Sequence, residues 1–196
     1  MGSRPGPRER LIAAVQSVMN ENGYSAGIEE ILTRADVARR SLYQHFGGKD
    51  ELIAAALRDA AQRDEQRYRD ALDAGGSDPG SRIRAMFAEA RRFAEQPGYR
   101  GCRYTAAYMS LPEGHPAHQV ASEHKRAVRA LLRAELAGIP HIDPETAATQ
   151  LAMLLDAVDV SAVLRPGAGA ETAVLPLLDA ILLPPEQSET LPRSDP

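Results

Sequence analysis

Two adjacent arginines, Arg39 and Arg40, lie in a short segment whose other side chains can also hydrogen-bond to nucleic-acid bases. On a helix they would share an outward face with Tyr43 and Gln44, which follow at helical spacing. An arginine can form a bidentate pair with guanine O6 and N7, and a glutamine can pair with adenine. By themselves, two neighbouring arginines are more often an ordinary solvated helix face. The surrounding elements must decide between these interpretations.

The apolar spacing around these arginines predicts three short helices followed by a long one. The helices are expected over residues 8–22, 28–35, 39–46 and about 50–72. A turn of roughly four residues joins the second and third helices, which is the spacing of a helix-turn-helix. Val37, Leu42 and Phe46 would face the core and leave the arginine face free.

The same segment resembles the DNA-binding domain of the tetracycline-repressor (TetR) family. The resemblance covers roughly residues 8–57 and is densest between Ser41 and Leu52. It is carried by RERLIAAVQSVMNENGY and IEEILTRADVARRSLYQHFGGKDEL, and by the family's preferred residue types at Gly23, Tyr24, Ile28, Ile31, Ala35, Val37, Ser41, Leu42, Tyr43, His45, Phe46, Lys49 and Leu52.

The resemblance implies an all-helical homodimer that binds a palindromic double-stranded DNA operator and responds to a small-molecule effector. Family roles place five residues at the major groove: Arg39, Arg40, Ser41, Tyr43 and Gln44. Three residues are expected to contact phosphates, and these are Tyr43, His45 and Lys49.

Two residues depart from the family pattern. Asp36 stands where the turn normally has glycine, and we expect it to adopt the left-handed conformation at a modest cost. Gly27 replaces the usual serine or threonine before the second helix. It can cap that helix without a side-chain bond, so a phosphate contact from a hydroxyl is not expected there.

Periodicity divides the whole chain into about nine helices, with an N-terminal three-helix helix-turn-helix domain and a C-terminal helical bundle. The expected parts are a flexible arm (1–7), the helix-turn-helix domain (8–49), a connecting helix (50–74), an effector-binding and dimerisation domain (75–183) and a disordered tail (184–196). Gly75 to Gly80 is expected to be a loop, and Pro176 falls inside the last helix.

The larger domain offers candidates for two further surfaces. Apolar and aromatic side chains with a polar tip suit a small, mostly apolar effector, although plain core packing is the simpler explanation for any one of them. The candidate pocket residues are Met86, Phe87, Tyr104, Tyr108 and Asp156. The last two helices are expected to form the dimer interface through Leu151, Leu155, Val158, Val174 and Leu178.

The histidines and the single cysteine do not predict a metal site. His115, His118 and His124 lack further ligands at suitable spacing, so capping and packing roles are favoured and no cofactor is expected. Cys102 lies between Arg100 and Arg103, but an inert, buried thiol is favoured over a redox sensor.

Composition excludes several classes of protein. A net charge of −4 excludes a generally basic coat for nucleic acid. The sequence contains no unbroken run of eighteen apolar residues, so no membrane-spanning helix is predicted. The first residues lack the apolar segment of a secretory signal, so we expect a cytoplasmic protein.

The sequence therefore predicts a ligand-responsive transcriptional repressor that is released from its operator by a small apolar effector. One alternative is a helical protein-interaction module with a degenerate DNA reader. An enzyme is less favoured, because no spacing suggests a nucleophile with its base or paired carboxylates.

Overall fold

A computed structural model of the protein describes residues 5–165 and 170–183, and these residues form helices joined by short loops. No strand occurs in the part of the chain that is described, in agreement with the all-α prediction. The elements are α1 (Pro7–Asn22), a 3₁₀ turn (Gly23–Ser25), α2 (Ile28–Ala35), α3 (Arg39–Phe46), α4 (Lys49–Ala74), α5 (Pro79–Ala94), α6 (Arg103–Ser110), α7 (Pro116–Leu136), α8 (Pro144–Leu164) and α9 (Ala170–Leu182).

Two helices begin in the same way, with an aspartate cap followed by proline. The Asp143 carboxylate accepts a hydrogen bond from the Thr146 amide at 3.1 Å, as the sequence predicts for α8. Asp78 accepts from the Ser81 amide at 2.8 Å and starts α5. The predicted loop over residues 75–80 is therefore too long, because Pro79 and Gly80 already belong to the helix.

The chain divides into two compact units. The N-terminal unit contains the described residues up to Glu65 together with Cys102–Lys125, and the C-terminal unit contains Gln66–Gly101 together with the described residues from Arg126 onward. This division differs from the predicted domains, since α6 and the first half of α7 belong with the helix-turn-helix segment. Most of the predicted flexible arm and the whole predicted tail lie outside the described residues.

The core of the N-terminal unit joins α1 to α4 with α6 and the start of α7. Leu11, Ile31, Leu42 and Leu52 are completely buried at its centre. Tyr24, which packs at the edge of this core, donates a hydrogen bond to the Arg103 carbonyl at 2.9 Å. Burial raises the pKa of Tyr24 to about 12, so its hydroxyl stays protonated and remains a donor at neutral pH.

The C-terminal unit has a separate apolar core and several ion pairs between its helices, among them one from α5 to α7 and one from α5 to α9. Ile83 and Met86 of α5 are completely buried with side chains of α7, α8 and α9. Arg82 binds Glu135 through two hydrogen bonds of 2.7 and 3.0 Å. Arg84 binds Asp179 in a similar way.

One helix of the C-terminal unit is unusually apolar around its circumference. By length and composition α8 could cross a membrane, although it contains no unbroken apolar run of eighteen residues. One side of α8 packs into the core through residues such as Leu151 and Leu155. The other side leaves large apolar side chains exposed, as does α9, and these are Met153, Val160, Val163, Leu164, Leu175 and Leu177.

Candidate nucleic-acid interface

The turn between α2 and α3 is held in one conformation by its backbone. Asp36 adopts the left-handed conformation, with φ 51° and ψ 52°, and is the one residue other than glycine with positive φ among those described. Its amide donates to the carbonyl of Thr33 at 3.2 Å, and the Val37 amide donates to the carbonyl of Leu32 at 3.2 Å. The expectation that aspartate can replace glycine here is therefore confirmed.

Arg10 of α1 stabilises this turn from outside. Its Nη1 donates to the Asp36 carbonyl at 2.9 Å and to the Asp36 carboxylate at 3.2 Å. The carboxylate thus supplies an ion pair that glycine could not make. No sequence pattern indicates this role, because Arg10 and Asp36 are 26 residues apart and only the folded chain brings them together.

The third helix has one buried anchor and a broad exposed face. Leu42 is completely buried, whereas Tyr43 is 54% exposed. Phe46 and Val37 are partly buried and pack against the same core, as predicted. The remaining side chains on the outer face are also exposed, and these are Arg39, Arg40, Gln44 and His45, while Ser41 is half-buried.

The helix ends beside this face leave backbone amides available. Gly27 caps α2 and Ala38 caps α3, and neither cap makes a side-chain hydrogen bond. Uncapped amides at a helix N-terminus favour bound anions such as phosphate. Lys49 is half-buried at the first position of α4, directly after the turn that ends α3. These groups could bind a phosphate backbone while the α3 side chains reach the bases.

An acidic residue, Glu29, also lies on this face. Glu29 of α2 forms an ion pair with Arg39 of α3. The pair links the two helices of the motif on their exposed side. Its only signal in the sequence is the opposite charge of two residues ten positions apart, which is too common to be informative.

The predicted effector residues divide between the two units. Tyr104 and Tyr108 both lie on α6, but Tyr104 is buried and Tyr108 is 54% exposed, with its ring stacked on His118. Met86 and Phe87 are buried together in the core of the C-terminal unit, and Asp156 is exposed on α8. The pocket itself therefore stays a prediction.

The residues predicted for the dimer interface face mostly inward. Leu151, Leu155, Val158 and Leu178 are buried within a single chain, and Val174 is half-buried. They support the fold of the single chain, and their part in a dimer interface stays a prediction.

Tyr104 belongs to a polar cluster in the interior of the N-terminal unit, which we define as Asp64, Glu65, Tyr104 and His124. The Tyr104 hydroxyl donates to Asp64 Oδ2 at 2.7 Å, and Asp64 is only 7% exposed. The ring of His124 stacks on Tyr104 with 3.8 Å between centroids, and His124 Nδ1 lies 3.2 Å from Glu65 Oε1. Burial lowers the pKa of His124 and outweighs the opposite effect of Glu65.

This cluster predicts a pH dependence of stability. His124 has a lower pKa in the folded chain than in the unfolded chain, where it is about 6.5. Its contribution is therefore present above pH 6.5 and is lost as the pH falls. Denaturant unfolding should show a free energy of unfolding that drops between pH 7 and 5, and His124→Phe should make this drop shallower while keeping the ring stack. Equal drops in both proteins would contradict this role.

In the described part of the chain, histidine, cysteine and acidic side chains do not converge on a metal-binding geometry. Within residues 5–165 and 170–183, no group of three or more histidine, cysteine, aspartate or glutamate residues could hold a metal ion. Cys102 precedes α6 and is half-buried.

Comparison with known proteins identifies the motif. The sequence profile described as "Bacterial regulatory proteins, tetR family" matches residues 11–56, which extend from α1 into the start of α4. Among solved structures, a protein of Streptomyces avermitilis assigned to the TetR transcriptional regulators is 32% identical. The match covers 90% of this chain and 98% of that one, with a TM-score of 0.74.

Two curated relatives match over shorter stretches. The transcriptional activator FasR of Mycolicibacterium smegmatis is 45% identical over 51 residues, or 26% of this chain. The transcriptional regulator LmrA of Bacillus subtilis is 30% identical over 84 residues, or 42% of this chain. These matches span only 23% and 44% of the two relatives.

The fold and the matched motif define a helix-turn-helix transcription regulator, a class of DNA-binding protein and not of enzymes. The chain belongs to the TetR family of bacterial regulatory proteins, as the sequence resemblance implied.

Proposed function

We propose that the chain is a cytoplasmic transcriptional repressor that binds a palindromic DNA operator as a homodimer and is released by a small-molecule effector. The observation that carries the DNA-binding part is the exposed outer face of α3, anchored by the buried Leu42 and oriented by the left-handed turn at Asp36. Because Arg39, Arg40, Tyr43 and Gln44 share this face, α3 can lie in the major groove with several side chains against base edges.

The assignment of side chains follows their chemistry. Arg39, Arg40, Ser41, Tyr43 and Gln44 read bases in this proposal. Tyr43, His45 and Lys49 hold phosphates, helped by the open amides at the starts of α2 and α3. A binding titration tests whether the chain binds DNA with sequence specificity. Duplex DNA that carries the operator should bind at least about 1,000-fold more tightly than random duplex at physiological salt. Equal affinity for both would favour an interaction module that has lost its DNA reader.

The role of Lys49 predicts a change in salt dependence. Each phosphate contact releases condensed counterions, so log affinity falls with log salt by about 0.9 per contact. Lys49→Ala should make this slope shallower and weaken the binding of all sequences alike. Affinities measured over a salt series check this, and Glu51→Ala in the same turn of α4 is the control. An unchanged slope would remove Lys49 from the phosphate contacts.

The dimer is proposed to form through the exposed apolar face of α8 and α9. On α8, Met153, Val160 and Leu164 follow one another at helical spacing, and Leu175 and Leu177 are exposed on α9. A second copy of the chain could cover this face by a two-fold axis, since an isologous contact needs only one self-complementary patch. Each chain has one proposed recognition helix, α3. This supports the same arrangement, because the two half-sites of a palindrome require two such helices.

The proposal that an effector releases the protein from its operator is supported by family membership and by the aromatic side chains of α6. A ligand can lower operator affinity only by preferring the conformation that does not bind DNA, by typically 1–3 kcal/mol, and operator must then weaken ligand binding by the same factor. The residues proposed for contact within one unit are Tyr104 and Tyr108 of α6, whereas Met86, Phe87 and Asp156 belong to the other unit and stay predictions from the sequence.

Tyr108 gives the cleanest test of effector contact, because its side chain is half exposed and its replacement should change the free energy of unfolding little. Tyr108→Ala should reduce the release of operator by a small apolar effector while operator affinity without effector stays nearly unchanged. Anisotropy titrations of labelled operator with a panel of such compounds measure both quantities. Loss of operator binding by a folded variant would instead place Tyr108 in the DNA-binding structure.

Repression rather than activation is tested in a reporter strain. Deleting the protein should raise transcription from its operator, whereas lower transcription would make it an activator, the activity named for the FasR relative.

A further inference from the structure

The two adjacent arginines of α3 have different surroundings. Arg39 forms an ion pair with Glu29 on the first turn of α2, and the two side chains are 54% and 70% exposed. The Arg40 side chain is also exposed, and among the described residues it has no hydrogen-bond or ion-pair partner. One carboxylate therefore restrains one of the two candidate base-reading guanidinium groups.

The carboxylate occupies only part of the Arg39 hydrogen-bonding capacity. A guanidinium has five N–H donors in a rigid planar fork, and Glu29 engages the group through Nη2. The other N–H groups of the fork can then pair with guanine O6 and N7. Holding the plane of the fork in place before binding reduces the conformational entropy that is lost when the bidentate pair forms.

The negative charge of Glu29 has the opposite effect on general affinity. A carboxylate on the DNA-facing side repels phosphates whatever the base sequence is. Its charge at the first turn of α2 also opposes anion binding at that helix N-terminus. Glu29 should therefore lower affinity for all DNA while it improves the discrimination that Arg39 can make.

We propose that Glu29 is a positioning residue that sets the base specificity of Arg39 by fixing its guanidinium. This role rests on the proposed function, in which Arg39 reads a base in the major groove. It separates the two arginines into one that is oriented in advance and one, Arg40, that is free to adapt.

The test is Glu29→Gln, which removes the charge and keeps the size of the side chain. Affinities are measured for the selected operator, for the operator with the Arg39 base pair changed, and for random duplex. Discrimination at that base pair should fall roughly three- to tenfold, a coupling of the size found for contacting residues. Affinity for random duplex should stay the same or rise.

Glu30→Gln is the matched control, because it removes the same charge from the neighbouring position of α2. Glu30 accepts a hydrogen bond from Asn22 Nδ2 at 2.6 Å and forms no ion pair with Arg39. It should leave discrimination at the Arg39 base pair unchanged. Equal relaxation by both variants would overturn the positioning role, as would a Glu29→Gln variant that weakens all three duplexes alike.

Arg39→Ala separates this inference from the proposed function. Arg39→Ala should relax discrimination at one base pair, and adding Glu29→Gln to it should relax that base pair no further. If Arg39→Ala relaxes the base pair and Glu29→Gln does not, the positioning role fails while base reading stands. If Arg39→Ala weakens specific and random DNA equally, Arg39 touches only phosphate and both roles fail.

Discussion

Replacing Leu42 with alanine is expected to destabilise the N-terminal unit by about 2–5 kcal/mol and to abolish operator binding at physiological temperature. Leu42 is completely buried, and the other seven residues of α3 are exposed or only partly buried. Its loss leaves a cavity beneath the reading helix and removes the contact that orients the exposed face. Denaturant unfolding measures the stability, and an operator titration of the same sample measures binding.

Two variants serve as controls for Leu42. Leu42→Met conserves most of the volume and should cost less than about 1.5 kcal/mol. Gln44→Ala on the exposed face should leave stability within about 0.5 kcal/mol and affect only DNA recognition. A Leu42→Ala variant with full stability and full operator affinity would show that α3 does not depend on this anchor.

Introducing a charge at Val160 should separate the proposed dimer. Val160→Arg places a guanidinium on the exposed apolar face of α8, where a two-fold contact would bury it twice. An uncompensated buried charge costs several kcal/mol, so the dimer dissociation constant should rise at least about 100-fold. Sedimentation at micromolar concentration should show monomers, and operator affinity should fall because each monomer binds one half-site.

Ala134→Arg provides the control for this substitution. It adds the same charge at an exposed position of α7 and should leave the dimer intact. A Val160→Arg protein that remains a dimer with unchanged operator affinity would place the interface elsewhere.

The helix-turn-helix was predictable because its information is local. The bounds of α2 and α3 agree with the sequence prediction, since a few apolar residues at helical spacing and two αL positions, Asp36 and Gly47, define both helices. The start of α8 was predictable for a similar reason, namely Asp143 followed by Pro144. The same pair of an N-cap aspartate and a proline occurs at Asp78 and Pro79, but the glycines around it favour the prediction of a loop.

The contacts between distant residues were not predictable. Helix α8 is apolar on nearly all sides, so periodicity does not tell its buried side, with Leu151 and Leu155, from its exposed side, with Val160 and Leu164. The hydroxyl of Tyr104 binds Asp64, forty residues away, and no local pattern in the sequence indicates this contact. The Glu29 and Arg39 pair depends in the same way on how two helices approach each other.

Selection of bound duplexes from a random DNA pool tests most directly whether α3 reads DNA sequence. The wild-type chain should enrich an inverted repeat whose half-site centres lie about 34–36 Å apart or a multiple of that distance. A folded Arg39→Ala/Arg40→Ala variant should enrich no motif. Absence of any motif with the wild-type chain, or recovery of the same motif with the double variant, would contradict base reading by this helix.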